Sequence, residues 1–186
     1  MSTAGKKPEI IFLCGFSGSG KTETGEILAQ KLNYSFTDTD SVIEQQMGKT
    51  IPEIFARSGE AKFRFAENDV IRMATMHRPQ VITLGGGAIH DKYMLAYLKS
   101  NGYIIYLRTT PETIYNRLQK SHIRPMLQVI NRDEKPDENK VMDRIRQLLN
   151  EREEIYLKAD KVIDTEDKSC EEVAQEIKYI WDCNDA

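Results

Sequence analysis

Ile10-Ile11-Phe12-Leu13-Cys14-Gly15-Phe16-Ser17-Gly18-Ser19-Gly20-Lys21-Thr22 is the stretch on which the fold turns. Its first five residues are an unbroken apolar run, the pattern of a strand covered on both faces of a parallel sheet. The next eight match G-x-x-x-x-G-K-[ST], and the helical pattern starting at Lys21 completes the strand–turn–helix setting that this motif requires. Glycines let the chain curl so that successive N–H groups converge on phosphate oxygens, and the positive end of the following helix adds to the attraction. In such a cradle Gly18, Ser19 and Gly20 offer backbone donors, Lys21 reaches the β- and γ-phosphates, and the Thr22 hydroxyl is placed to ligate magnesium. Glu23 lies in the first helical turn, where an acid suits the helix dipole but stands near phosphates of like charge. The plainer alternative, a glycine-rich turn that binds nothing, fits poorly with an intact motif in its full setting.

Outward from this stretch, short β-branched runs alternate with longer helical patterns. Strands are expected at Ile10 to Cys14, Val81 to Leu84, Tyr103 to Leu107 and Lys161 to Asp164, with a weaker one near Ser35 to Thr37. Helices are expected near Lys21 to Leu32, Ser41 to Met47, Glu60 to Met76, Asp91 to Lys99, Pro111 to Gln119, Val141 to Leu157 and Cys170 to Trp181. Strands separated by crossover helices predict an α/β fold with a parallel sheet. From about Lys120 to Lys140 the chain is polar and charged, with Pro125, Pro136 and the run Asn131-Arg132-Asp133-Glu134-Lys135. That segment reads as an exposed loop, either a lid over a site or a solvated insertion.

Composition bounds the partners. The 186 residues suit one domain, and 40% apolar with 30% charged residues exclude a disordered or low-complexity chain. Twenty-six basic against 29 acidic side chains give a net charge of −3, without the basic excess that a nucleic-acid partner calls for. No apolar run approaches the roughly 20 residues that span a bilayer, and the start has no signal-like apolar segment, so a cytoplasmic location is expected and no membrane partner. Cys14, Cys170 and Cys183 have neither the number nor the spacing of a disulfide framework or zinc site; Cys14 reads as a buried thiol.

Three features address what receives a phosphoryl group. Asp38-Thr39-Asp40 follows the weak strand, and in an extended segment both carboxylates would face one side, one toward magnesium and the other accepting a proton from a hydroxyl. Alternatively, Asp40 caps the helix expected at Ser41. Arg64 and Glu67 are three apart on a helix whose apolar stripe is Phe63, Ala66, Val70 and Met73; they form either a routine surface ion pair or a device holding a guanidinium ready for an anion. Gly85-Gly86-Gly87 follows the strand ending at Leu84, where ligands of parallel sheets bind, and is either a close backbone approach to ligand or a flexible turn.

Taken together, these residues resemble the shikimate kinases, small P-loop enzymes of the nucleoside-monophosphate-kinase type. The resemblance runs through the phosphate cradle, Asp38-Thr39-Asp40, Gly59-Glu60 with Phe63-Arg64 and Glu67, Gly85-Gly86-Gly87, Arg124-Pro125-Met126-Leu127, and Glu151-Arg152 with Tyr156 and Ala159-Asp160. It implies a five-stranded parallel sheet flanked by helices, a single domain over residues 1–186, a substrate-binding subdomain over about 38–76 and a lid over about 120–140. By motif position it makes Thr22 and Asp38 the magnesium partners, and Asp40 the group gripping substrate hydroxyls and a candidate base. Gly85, Gly86 and Gly87 become backbone contacts, and Arg64 with Arg152 the carboxylate clamp. Arg124 becomes the lid arginine that acts with Lys21 in catalysis, and Arg117 stands against adenine. The implied reaction is ATP-dependent phosphorylation of the 3-hydroxyl of shikimate, with magnesium as cofactor, ATP and shikimate as small-molecule partners, and a monomeric enzyme. Alternatives are another small-metabolite kinase, for example one acting on gluconate, because the cradle reads only phosphates, and a weakly catalytic nucleotide-binding regulator, suggested by Glu23 and the charged lid.

Overall fold

The computed structural model describes residues 8–120 and 137–183. Five strands, β1 (Ile10–Cys14), β2 (Ser35–Asp38), β3 (Gln80–Thr83), β4 (Tyr103–Arg108) and β5 (Lys161–Asp164), form one sheet in the order β2-β3-β1-β4-β5. Every neighbouring pair is parallel. The helices among the described residues are α1 (Lys21–Leu32), α2 (Thr39–Met47), α3 (Ile51–Ala74), α4 (Lys92–Asn101), α5 (Pro111–Lys120), α6 (Glu138–Tyr156) and α7 (Cys170–Cys183). The architecture is the parallel sheet flanked by helices that the alternating sequence pattern predicts.

The continuous apolar run of β1 follows from its central place. Ile11 pairs with Val81 on one side and Tyr103 on the other, and all five β1 side chains are at most 1% exposed. Alternate residues serve opposite layers. Ile10, Phe12 and Cys14 pack with Ile71, Leu98, Tyr106 and Tyr156, whereas Ile11 and Leu13 pack with Leu28, Val173, Ile177 and Trp181. Full burial of each large aliphatic side chain contributes about 1.5–3 kcal/mol, so the strand carrying the cradle is among the most firmly held parts of the molecule. Burial also pushes the Cys14 thiol up to about 12, leaving it an inert packing group at neutral pH.

Strand order reverses around β1: its neighbours are β3 and β4, and the chain crosses from one side to the other between them. The crevice beyond the carboxyl ends of β1, β3 and β4 is the switch point where open parallel sheets take ligands. The cradle after β1 and the glycine run after β3 both open into it.

Local structure departs from the sequence expectations in three places. Helix α3 begins at Ile51, well before the expected Glu60, and bends at Gly59, whose φ of 77° and ψ of 166° interrupt the helical path. This earlier start carries a Thr50-x-x-Glu53 box, in which the Glu53 carboxylate accepts from the Thr50 N–H at 3.0 Å, with Pro52 inside the box in the first turn. The expected apolar stripe is also displaced. Phe63, Val70, Ile71 and Ala74 are buried, whereas Met73 is 52% exposed. Finally, α2 starts at Thr39, two residues early, which alters the geometry of the aspartates described below. The lid expected at about 120–140 falls mostly outside the described residues, as do Arg124 and Arg132.

Candidate active site

The cradle is closed by its own lysine. Gly15, Gly18 and Gly20 have φ values of 145°, 84° and 89°, a backbone path that side chains with a Cβ rarely follow. Lys21 Nζ donates to the carbonyls of Gly15 and Phe16, both at 2.9 Å. Burial lowers the Lys21 pKa, and the carboxylates of Asp40 and Asp38 oppose that shift. Ser19 is 2% exposed and its hydroxyl has no partner among the described residues. Arg117, reaching over from α5, donates to the Gly18 carbonyl at 3.2 Å, so the side chain expected near adenine is anchored to the cradle itself. Glu23 is exposed on the outer face of the first turn of α1.

The two aspartates do different work, and not in the extended geometry expected. Asp38 ends β2 and is the N-cap of α2, its Oδ1 accepting from the Ser41 N–H at 2.9 Å; Asp40 lies within the first helical turn and is not the cap. Asp38 Oδ2 also accepts from the hydroxyls of Thr22 at 2.7 Å and Thr83 at 2.9 Å. Burial disfavours the ionised Asp38, but these hydrogen bonds outweigh it and hold the pKa below the ordinary aspartate value. Asp40 is the converse case. Burial raises its pKa to about 6 against the opposing charge of Lys21, with Asp38, Glu67 and Glu44 adding to the rise, and its carboxylate makes no hydrogen bond with the described residues. A poorly solvated, unengaged carboxylate near neutral pKa suits acceptance of a proton or of a substrate hydroxyl hydrogen.

Two positions of the glycine run are required for clearance. None of Gly85, Gly86 and Gly87 has a positive φ. A Cβ on Gly85 would stand 2.5 Å from Asp40 Oδ1 and 3.0 Å from Glu67 Oε1, and one on Gly87 would stand 2.8 Å from the Arg64 guanidinium. Gly86 lies against the cradle, near Ser17 N and Gly15 O. Both arginines expected to form a clamp come to this turn: Arg64 Nη1 donates to the Gly87 carbonyl at 3.0 Å and Arg152 Nη1 to the Gly86 carbonyl at 3.0 Å. Arg64 is also held by Glu67 at 2.6 Å and Glu60 at 3.3 Å, and Arg152 lies over the Phe16 ring at 5.7 Å. Glu67 is 1% exposed, with one oxygen on Arg64 and the other lacking a partner among the described residues. Its pKa is raised by burial, against the pull of Arg64. This is a partly buried charge pair, buried on the Glu67 side, that aims the guanidinium, a firmer arrangement than a fully exposed ion pair three residues apart.

Gly87→Ala should therefore displace Arg64 without touching the cradle. The expected result is a roughly tenfold rise in the acidic substrate's KM, from weakening one charge-assisted contact, with the KM for ATP unchanged. Steady-state kinetics varying each substrate in turn would check it, and equal changes in both KM values would contradict the placement.

Three contributors went unrecognised in the sequence. Thr83 holds Asp38, Thr39 accepts the Gly85 N–H at 3.1 Å, and the buried Tyr156 hydroxyl donates to the Gly86 carbonyl. No motif marks Thr83; Thr39 and Tyr156 lie within stretches that carry the resemblance but have no role assigned there, although Tyr156 stands one helical turn beyond Arg152, on the same face. Among the further arginines near the expected lid, Arg146 pairs with Glu112 at 3.0 Å and Arg144 bonds to Gln147. A separate cavity of about 440 Å³, lined by residues such as Arg108, Arg146, Glu153 and Glu166, includes none of the candidate site residues, and both its arginines are paired with carboxylates.

A family model described as shikimate kinase matches residues 17–180. The chain belongs to the shikimate kinase family. The shikimate kinase of Thermodesulfovibrio yellowstonii is 42% identical over 167 residues, covering 90% of this chain and 91% of the relative, and that of Chlorobaculum tepidum is 39% identical over 177 residues, covering 93% and 92%. Among solved structures, the shikimate kinase from Acinetobacter baumannii in complex with shikimate aligns with a TM-score of 0.85 at 34% identity, covering 96% of this chain and 95% of the other. A gluconokinase from Sinorhizobium meliloti aligns with a TM-score of 0.57 at 14% identity over 96% and 94% of the two chains, a likeness of fold alone. A small-metabolite kinase of the gluconate type is accordingly not favoured for this shikimate kinase family member.

Proposed function

We propose that this chain transfers the γ-phosphoryl group of ATP to the 3-hydroxyl of shikimate, supplying 3-phosphoshikimate for chorismate and aromatic amino-acid synthesis. The observation that carries the reading is the meeting of Arg64 and Arg152 on adjacent carbonyls beside the phosphate cradle, with Asp40 unengaged at the same turn. Two guanidiniums suit a carboxylate, and a free carboxylate suits an acceptor hydroxyl.

In this reading the cradle and Lys21 hold the triphosphate, Arg117 stands beside the base, and Gly85, Gly86 and Gly87 let backbone and substrate approach closely. Arg64 and Arg152 fix the acid so that one hydroxyl faces Asp40 and the γ-phosphate. Phosphoryl transfer demands little covalent work from a protein, so alignment and placed cations supply most of the rate. Thr22 and Asp38 would hold magnesium: hydroxyl and ionised carboxylate are both hard oxygen ligands, already 2.7 Å apart. When bound, that ion neutralises charge on the β- and γ-phosphates. Arg124, with Lys21, would add positive charge as the lid covers the site and excludes water. Residues of about 38–76 would form the substrate-binding subdomain of a single domain. A monomeric state and a cytoplasmic location belong to the same proposal; among the described residues no helix is long and apolar enough to cross a membrane.

The test is release of ADP by purified protein with ATP and magnesium. Shikimate-dependent turnover, absent with gluconate, is expected. Tight nucleotide binding without shikimate-dependent turnover would instead identify a regulator and overturn the proposal.

A further inference from the structure

The Gly86 carbonyl is held twice. Arg152 Nη1 donates to it at 3.0 Å, and so does the hydroxyl of Tyr156, one turn further along α6. Tyr156 is 1% exposed and its ring packs tilted against that of Tyr106, with centroids 4.9 Å apart, which restrains the hydroxyl. On the other side of the account stand the N–H groups of Gly86 and Gly87, which have no partner among the described residues although Gly86 is buried. Buried backbone donors are almost always paired, and an unpaired pair beside two guanidiniums points to an oxygen-bearing anion as the missing acceptor.

We infer that Tyr156 is a positioning residue for the acidic substrate: its hydroxyl pins the Gly86–Gly87 peptide with the N–H facing away from α6, and keeps it there when Arg152 leaves the Gly86 carbonyl to engage a substrate carboxylate. The inference rests on the proposed shikimate reading and deepens it. The physical steps are short. The Gly86–Gly87 bond is trans, so its C=O and N–H point in opposite directions, and fixing the carbonyl toward α6 fixes the amide the other way. Glycine on both sides of that bond removes the steric barriers that would otherwise restrain the peptide, so a hydrogen bond must supply the restraint. Arg152 cannot be the permanent anchor, because a guanidinium held on a carbonyl is only partly available to a carboxylate. With Tyr156 as a second donor the carbonyl stays satisfied after Arg152 moves. Without it, either the carbonyl is left unpaired or Arg152 remains parked, and both outcomes weaken binding of the acid.

Tyr156→Phe keeps the ring and its stacking while removing only the hydroxyl. Shikimate affinity, read by titration calorimetry and by KM, should fall about 5- to 30-fold, with kcat and the KM for ATP within twofold of wild type. In an Arg152→Ala background the same substitution should still lower shikimate affinity at least fivefold, since Tyr156 is then the remaining side-chain donor to the Gly86 carbonyl among the described residues. Packing alone predicts a different pattern, with loss of thermal stability and comparable changes in both KM values; that pattern would overturn the inference, as would an Arg152→Ala background in which removing the hydroxyl changes shikimate affinity by less than twofold. So would shikimate affinity unchanged by Tyr156→Phe in a wild type that turns shikimate over, which leaves the proposed activity standing. Wild type that neither binds nor phosphorylates shikimate would remove the proposed function and this inference together. Should Tyr156→Phe fail to fold, hydrogen exchange on the wild type decides: shikimate should slow exchange of the Gly86 and Gly87 amides at least tenfold, and unchanged exchange with shikimate bound overturns the inference.

Discussion

Asp40→Asn is expected to lower kcat by about 10²- to 10⁴-fold, the usual contribution of a positioned acid–base group, while leaving the KM for ATP near wild type. The same substitution should make the protein more stable. Burial lifts the Asp40 pKa from 3.8 to about 6, so between those values the folded state holds more proton than the unfolded one. Stability therefore falls as pH rises from about 4 to about 6, and the full penalty is present at neutral pH. A net shift of about two units, the attraction to Lys21 already included, corresponds to roughly 1–3 kcal/mol. Asparagine has no charge to bury, and for a chain of this size the gain should raise Tm by about 3–8 °C at pH 7.5, shrinking toward zero near pH 4. Thermal unfolding at the two pH values, alongside kinetics, checks both halves. An inactive variant with unchanged Tm at pH 7.5 would show that the Asp40 carboxylate is not held at a cost. If Asp40 must be ionised, wild-type kcat/KM should also decline below pH about 6.

Arg152→Ala should raise the shikimate KM by about 10- to 100-fold, the loss of one or two charge-assisted hydrogen bonds at roughly 1.5–3 kcal/mol each, with the KM for ATP changed less than threefold. The side chain also lies over Phe16, whose ring is 2% exposed, so some loss of packing accompanies the loss of charge. Arg152→Lys separates the two. Lysine restores a positive charge but not the planar fork, and should recover only part of the affinity. Full recovery by lysine would show that charge alone matters at this position, and unchanged kinetics in both variants would refute the clamp.

The legible parts of the molecule are those where a local rule and the tertiary fold ask for the same residues. β1 reads as a doubly buried strand because its neighbours on both sides and its layers on both faces are apolar. The cradle reads as a phosphate site because glycine conformations, lysine reach and helix dipole are all properties of one short segment. Boundaries were less legible where a second signal was weak. The first half of α3 was overlooked because Gly59 interrupts the periodicity, although Thr50, Pro52 and Glu53 mark a helix start in the usual way. Ser41 reads as a helix start, which leaves the aspartate pair extended, whereas in the structure Asp38 takes the cap through the Ser41 N–H and draws Asp40 into the first turn.

Distances between far segments are a different matter. Arg64, Gly86 and Arg152 come from α3, the turn after β3 and the end of α6, and no pattern in the chain shows that two guanidiniums reach neighbouring carbonyls of one turn. The reason for three glycines is likewise tertiary. Their φ values would suit other residues, and what forbids a side chain at Gly85 and Gly87 is the presence of Asp40, Glu67 and Arg64 within 3.0 Å of where a Cβ would stand, whereas one on Gly86 would meet its nearest neighbours at 3.5 Å. The chain by itself determined the elements, their parallel arrangement and the cradle, since each depends on residues within a few turns of one another. Only the tertiary structure decided which carboxylate is satisfied and which is left free, where Tyr156 bonds, and which charges are buried, because hydrogen-bond partners and desolvation are set by whatever the fold brings alongside.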